Sequence, residues 1–145
     1  SGRYVNDSMG FYTGKQTVKK IIAQGKRVMD SKVLIMGATF KEDVADIRNS
    51  KVIDVVREIE SFSVAVDVVD PHADPEEVYH EYGYRTMKEP DGPYDAIIVA
   101  VNHEEYLGLP DSFFEELMPN GGVFVDLKGV YKNMRDNKKL EYWSL

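Results

Sequence analysis

The residues with the most obvious chemistry lie in one stretch, Gly37-Ala-Thr-Phe-Lys-Glu-Asp-Val-Ala-Asp-Ile-Arg-Asn-Ser50. Phe40 offers a ring to stack against a base or sugar, and Lys41 a point charge for a phosphate. Arg48, seven residues later, offers a planar fork for a second anion. The same stretch also reads as a solvated loop whose acids, Glu42, Asp43 and Asp46, pair with its bases. Chemistry alone divides evenly between the two. Other candidates fare worse. Gly10–Thr17 resembles a phosphate loop, but its glycines are one residue too close, Gln16 stands in place of a hydroxyl, and no strand precedes it. His72, His80 and His103 share no metal-ligand spacing and read as surface histidines, so no metal site is expected. Asp70 ends an apolar run where a dinucleotide fold would hold a ribose hydroxyl. It lies 33 positions after Gly37, against about 20 in that fingerprint, and a turn-opening Asp-Pro is the better reading. There is no cysteine, which removes disulfides, thiolate zinc and a thiol nucleophile from the chain. No catalytic residue is assigned.

These side chains need elements to hold them. Residues 8–27 have loosely helical apolar spacing with a basic end, where cations suit the helix dipole. Lys32–Met36 is a short apolar run closed by Gly37, which predicts a buried strand. A helix follows from near Ser50, with Asn49 or Ser50 as its cap and Val52, Ile53, Val56, Ile59 and Phe62 on one face. Val64–Val69 predicts a second strand, Asp74–Glu81 a short acidic helix, and Tyr84–Thr86 a brief edge strand. Asp95–Val101 is the clearest strand, continuous and β-branched. Leu109–Met118 predicts a helix, Val123–Asp126 another buried strand, and residues 131–145 a polar tail anchored by Trp143. Buried strands alternating with amphipathic helices define an α/β domain: a Rossmann-like, doubly wound, mainly parallel sheet with helices on both faces. Ligands in such sheets sit beyond the C-terminal strand ends, at the point where strand order reverses. Lys41, Arg48 and Lys128 all fall on that edge.

Charge narrows the partners. The net charge of −7 argues against a general nucleic-acid binder. It is unevenly spread: net +5 over residues 1–51, −14 over 52–119 and +2 over 120–145. An acidic middle is an ordinary solvated face, yet the topology brings the two basic ends together and favours one converging anion site. No apolar run approaches the roughly 20 residues of a membrane span. Nothing in the first ten residues reads as an export signal, so a cytoplasmic location is expected.

The 37–50 loop resembles the signature loop of the UDP-glucose/GDP-mannose dehydrogenase family, in its C-terminal, UDP-binding domain. Gly2-Arg-Tyr-Val-Asn-Asp7, Asp70-Pro71 and Val125-Asp-Leu-Lys-Gly129 extend the likeness over almost the whole chain. The loop is specific, whereas the shorter pieces are weak alone. Residues 8–12 and 142–145 look most like the branch that oxidises UDP-N-acetylhexosamines.

The resemblance implies a UDP-sugar ligand, with Phe40 and Lys41 cradling it and the ammonium facing phosphate. It implies that Arg48 reaches toward NAD, and that Lys128 lies near the substrate, with Gly129 an alternative occupant of that position. Family enzymes oxidise the C6 alcohol of a nucleotide sugar to a carboxylate in two steps, using two NAD and a cysteine thioester. They place NAD mainly in an N-terminal domain and dimerise through a helical middle one. This chain, lacking the cysteine and a glycine fingerprint, is expected to be inactive alone. Residues 1–28 then form a linking helix from a central domain, and 29–145 the UDP-binding domain of a polypeptide that is a homodimer at full length. The competing reading is a non-catalytic Rossmann-like module for dimerisation or ligand sensing, with tyrosines such as Tyr79 and Tyr106 at an interface.

Overall fold

A computed structural model describes residues 2–145, with side chains from Met9 onward. The apolar runs form strands β1 (Lys32–Met36), β2 (Ala65–Val69), β4 (Ala96–Val99) and β5 (Val123–Asp126), with a two-residue β3 (Thr86–Met87). A sixth strand, β6 (Glu141–Trp143), joins them in one parallel sheet of order β3-β2-β1-β4-β5-β6. The helices are α1 (Gly2–Ala23), α2 (Val52–Glu60), α3 (Pro75–Tyr82), α4 (Glu104–Leu107) and α5 (Asp111–Leu117).

Alternation along the central strands builds two cores. Val33, Ile35, Ile98 and Val125 pack with Val18 and Ile21 of α1 and Val55 and Ile59 of α2. Leu34, Met36, Ile97 and Phe124 face the other way, against Phe114, Met118, Tyr131 and Met134. The central strands are therefore covered on both faces, which is why they read as unbroken apolar runs. The doubly wound expectation holds.

Three expectations shift. The first helix begins by Gly2 rather than Ser8 and stops at Ala23, because Gly25 turns the chain at φ 84 and leaves Lys26 and Arg27 beyond it. Residues 104–107, given no element above, form α4. The tail is not merely polar: Glu141–Trp143 pairs with Val123–Val125. Trp143 lies against the first core and Tyr142 against the second.

Gly10 and Gly14, whose likeness to a phosphate loop fails on spacing, are where α1 crosses α2. A Cβ at Gly10 would lie 2.6 Å from that of Asp54, and one at Gly14 2.9 Å from that of Glu58. They permit close helix contact, and Gly10 also lines a cleft between the two helices.

Candidate functional site at the switch point

Strand order reverses between β1 and β4, and the loops leaving these two strands meet there. Gly37 has φ 107, and a Cβ on it would fall 2.6 Å from the Cβ of Val101. Only glycine lets the exit of β1 pass the exit of β4 this closely. Beyond it, the Phe40 amide donates to the carbonyl of Asp46 at 2.7 Å, closing the loop on itself. The Tyr82 hydroxyl of α3 donates to the carbonyl of Ile47.

The loop borders a cleft of about 360 Å³ between α1, α2 and the ends of β4 and β5. Its lining is largely apolar: Met9, Phe40, Val52, Val55, Leu127 and Leu145, with Thr13, Thr39, Asn49 and Lys51 as polar points. Its volume lies in the range of small-molecule pockets, about 300–1,000 Å³. Phe40 is 53% exposed, an uncovered ring at the mouth of an apolar recess.

The four site residues predicted from sequence all lie on this edge but not in one cavity. Lys41 follows Phe40 on the same exposed segment. Lys128 stands on the loop after β5, a turn shaped by buried Asp126, which accepts the amides of Val130 (3.1 Å) and Tyr131 (2.9 Å). Its ammonium pairs with Glu42, tying the two basic blocks together. The hydrogen bond from Lys128 holds the Glu42 carboxyl below its ordinary pKa. Arg48 instead faces a separate depression with Ile47, Glu77, His80 and Glu81. Its fork grips Asp46 through Nε and one terminal nitrogen, both at 3.0 Å. The expectation of a single cationic pocket is thus corrected. Phe40 alone of the four lines the apolar cleft, Lys128 is tied to the loop through Glu42, and Arg48 has its own depression, past the 40-to-46 closure that turns the chain.

Two residues read as bland prove central. Asp70, taken as a turn opener, does open the turn: Oδ1 accepts the amides of His72 (2.7 Å) and Ala73 (2.9 Å). Its Oδ2 also accepts the Ala38 amide at 2.6 Å and meets Nε2 of His103 at 2.9 Å. Burial would raise its pKa, but the bonds from His103, Ala38, His72 and Ala73 outweigh burial and hold it low. His103, expected on the surface, is wholly buried, a correction with a clear cause. The residues following β4 turn inward beneath the 37–49 loop, and the imidazole finds polar partners there. His72 lies against it, ring centroids 4.6 Å apart. Asp43, His72 and His103 offer ligand atoms within 4.8 Å of one another. Nδ1 of His103 already accepts the Asp43 amide and Nε2 faces Asp70, so the ring has no lone pair to give a metal. Beside it Asn102 is buried with neither amide atom paired among the described residues.

A parallel sheet wound in both directions, with a cleft and a cation-bearing loop where its order reverses, defines a Rossmann-like α/β domain. Residues 34–133 match the UDP binding domain of the UDP-glucose/GDP-mannose dehydrogenase family, and the chain belongs to that family. It is 44% identical over 131 residues to a UDP-N-acetyl-D-glucosamine 6-dehydrogenase of Salmonella typhi, covering 90% of this chain and 31% of that protein. It is 41% identical over 141 residues to the enzyme of the same name from Pseudomonas aeruginosa, covering 97% and 33%. Among solved structures, the UDP-N-acetyl-mannosamine dehydrogenase Cap5O of Staphylococcus aureus superposes with a TM-score of 0.75 at 26% identity, covering 99% of this chain and 32% of that one. The chain spans about a third of the length of these relatives.

Proposed function

We propose that this chain is the nucleotide-binding domain of an NAD-dependent UDP-sugar 6-dehydrogenase, which oxidises the C6 alcohol of a UDP-N-acetylhexosamine to a carboxylate in two steps. The observation that carries the reading is the Phe40–Lys41 segment, held at the switch point beside an apolar cleft. In this reading the base or ribose packs against the ring of Phe40, and the Lys41 ammonium meets the diphosphate. Lys128 reaches the same ligand when it leaves Glu42. The names of the relatives support an N-acetylhexosamine as the sugar.

NAD would be held mainly by a domain outside this chain. The residues present do not fit its main cradle. The connection after β1 has one glycine, Gly37, and Val101 occupies the space against it, where a dinucleotide loop needs room for a pyrophosphate. Arg48 is the one group we assign toward the cofactor, exchanging Asp46 for a phosphate. The absence of cysteine puts covalent catalysis elsewhere and leaves this segment inactive alone. Residues 1–28 connect to a central domain in this reading, although the inner face of α1 is already part of the core through Val18 and Ile21.

Titration calorimetry with UDP tests the site. Lys41→Ala is expected to weaken binding by about 1.5–3 kcal/mol, roughly 10- to 150-fold, the worth of a charge-assisted contact. Equal affinity in the wild type and the variant would remove Lys41 from the site. A tight dimer indifferent to UDP would instead favour the non-catalytic module.

A further inference from the structure

Phe40 and Lys41 are exposed and Glu42 is half-buried, and the residues that flank this segment on either side are held by one imidazole. On the far side, the Asp43 amide donates to Nδ1 of His103 at 2.9 Å. An accepting Nδ1 carries no proton, so the neutral ring bears its hydrogen on Nε2. That N–H donates to Oδ2 of Asp70 at 2.9 Å and lies 3.3 Å from Oγ1 of Thr39. The Thr39 hydroxyl is itself spent on the carbonyl of Lys41 at 2.9 Å, so its oxygen is free to accept from the ring. One histidine therefore grips residue 39 and residue 43, with the ring and ammonium of the proposed ligand site between them.

The grip is rigid because its base is rigid. Asp70 is fixed by three backbone amides at the exit of β2, and its side chain and that of His103 are fully shielded from solvent. The imidazole is further confined by the ring of His72 and by the edge of Tyr106, 5.6 Å between centroids. A loop ordered before its ligand arrives forfeits less conformational entropy on binding.

We propose that His103 is a positioning residue for the nucleotide: through Nδ1 and Nε2 it holds Thr39 and Asp43 so that Phe40 and Lys41 are presented in their binding geometry. This rests on the nucleotide reading of Phe40 and Lys41.

Two substitutions separate positioning from mere packing. His103→Gln keeps an amide donor where Nε2 stands, toward Asp70, and loses the acceptor for Asp43. His103→Asn keeps an acceptor where Nδ1 stands and loses the donor to Asp70. UDP affinity by calorimetry, thermal midpoint, and hydrogen exchange of residues 39–43 are measured for both in the 145-residue chain. His103→Gln is expected to bind UDP about tenfold or more weakly, with faster exchange at 39–43 and the smaller loss of thermal midpoint. His103→Asn keeps the hold on Asp43 but loses that on Thr39, and is expected to bind UDP more tightly than His103→Gln, though below wild type, while melting lower than either. Loss of affinity that simply follows the melting temperature in both variants overturns the proposal, as does a His103→Gln chain with wild-type affinity and exchange. A wild-type chain that ignores UDP overturns the nucleotide reading instead. Exchange at 39–43 then judges the grip alone, and rates unchanged in His103→Gln overturn it.

Discussion

Asp70 shows how one side chain can hold three loops. Its two oxygens accept from Ala38 after β1, from His72 and Ala73 after β2, and from His103 after β4. Burial works against the charged form, and these donors reverse the balance, so the folded pKa lies below the ordinary carboxylate value. A depressed folded pKa stabilises the protein above the unfolded value, about 3.9 for Asp, and that stability fades as pH falls through the folded value. Asp70→Asn places an amide N–H where two donors already point. It is expected to cost about 2–4 kcal/mol at pH 7, with the gap to wild type narrowing as the pH drops below about 4. Urea melts at pH 7 and pH 3 would reveal this; a constant gap would deny Asp70 its role. The importance of Asp70 was only half legible. Asp-Pro announces a turn, but nothing local in the sequence says that an amide 32 positions earlier and a histidine 33 positions later will share its oxygens.

At the scale of elements, the contact between α1 and α2 relies on missing side chains. Replacing a helical glycine by alanine ordinarily gains about 1 kcal/mol. At Gly10 the sign should reverse. The added carbon meets the Cβ of Asp54 at 2.6 Å and the carbonyl oxygen of Lys51 at 3.1 Å, atoms too close to the backbone to swing aside. Gly10→Ala is expected to lower stability by about 1–3 kcal/mol, and a thermal midpoint at or above wild type would show that α1 slides freely on α2. The elements themselves were unevenly readable. β1, β4 and β5 stand out because burial on both faces demands unbroken apolar runs. β6 does not, because three half-exposed residues on an edge strand carry no periodicity of their own, and their pairing with β5 selects them. The predicted start of α1 at Ser8 is too late; among the described residues its buried apolar anchors, Val18 and Ile21, lie toward its C-terminal half.

For the molecule as a whole, the winding of the sheet brings the loops after β1 and β5 together, and the pair between Glu42 and Lys128 is where they touch. That pair competes with any anion for the Lys128 ammonium. Glu42→Gln should free it and tighten UDP binding by about threefold, a modest gain because the pair is largely exposed. Calorimetry would detect the change, and unaltered affinity would place Lys128 outside the ligand's reach. Net charge, −7 for the chain, does not forecast this behaviour, because what an anion meets is the local arrangement of cations at one edge.

The sequence by itself determined the class of fold, the edge of the sheet at which the loops carrying these cations gather, and the loop that bears Phe40, Lys41 and Arg48. Periodicity and glycine placement act over a few residues and are written where they act. Tertiary structure alone decided that Arg48 turns to a different depression from Phe40, that Lys128 pairs with Glu42, and that His103 lies buried beneath the loop it holds. These outcomes depend on hydrogen bonds between segments dozens of residues apart. Their partners become neighbours only once the strands have been laid side by side, and no local pattern of residues encodes that.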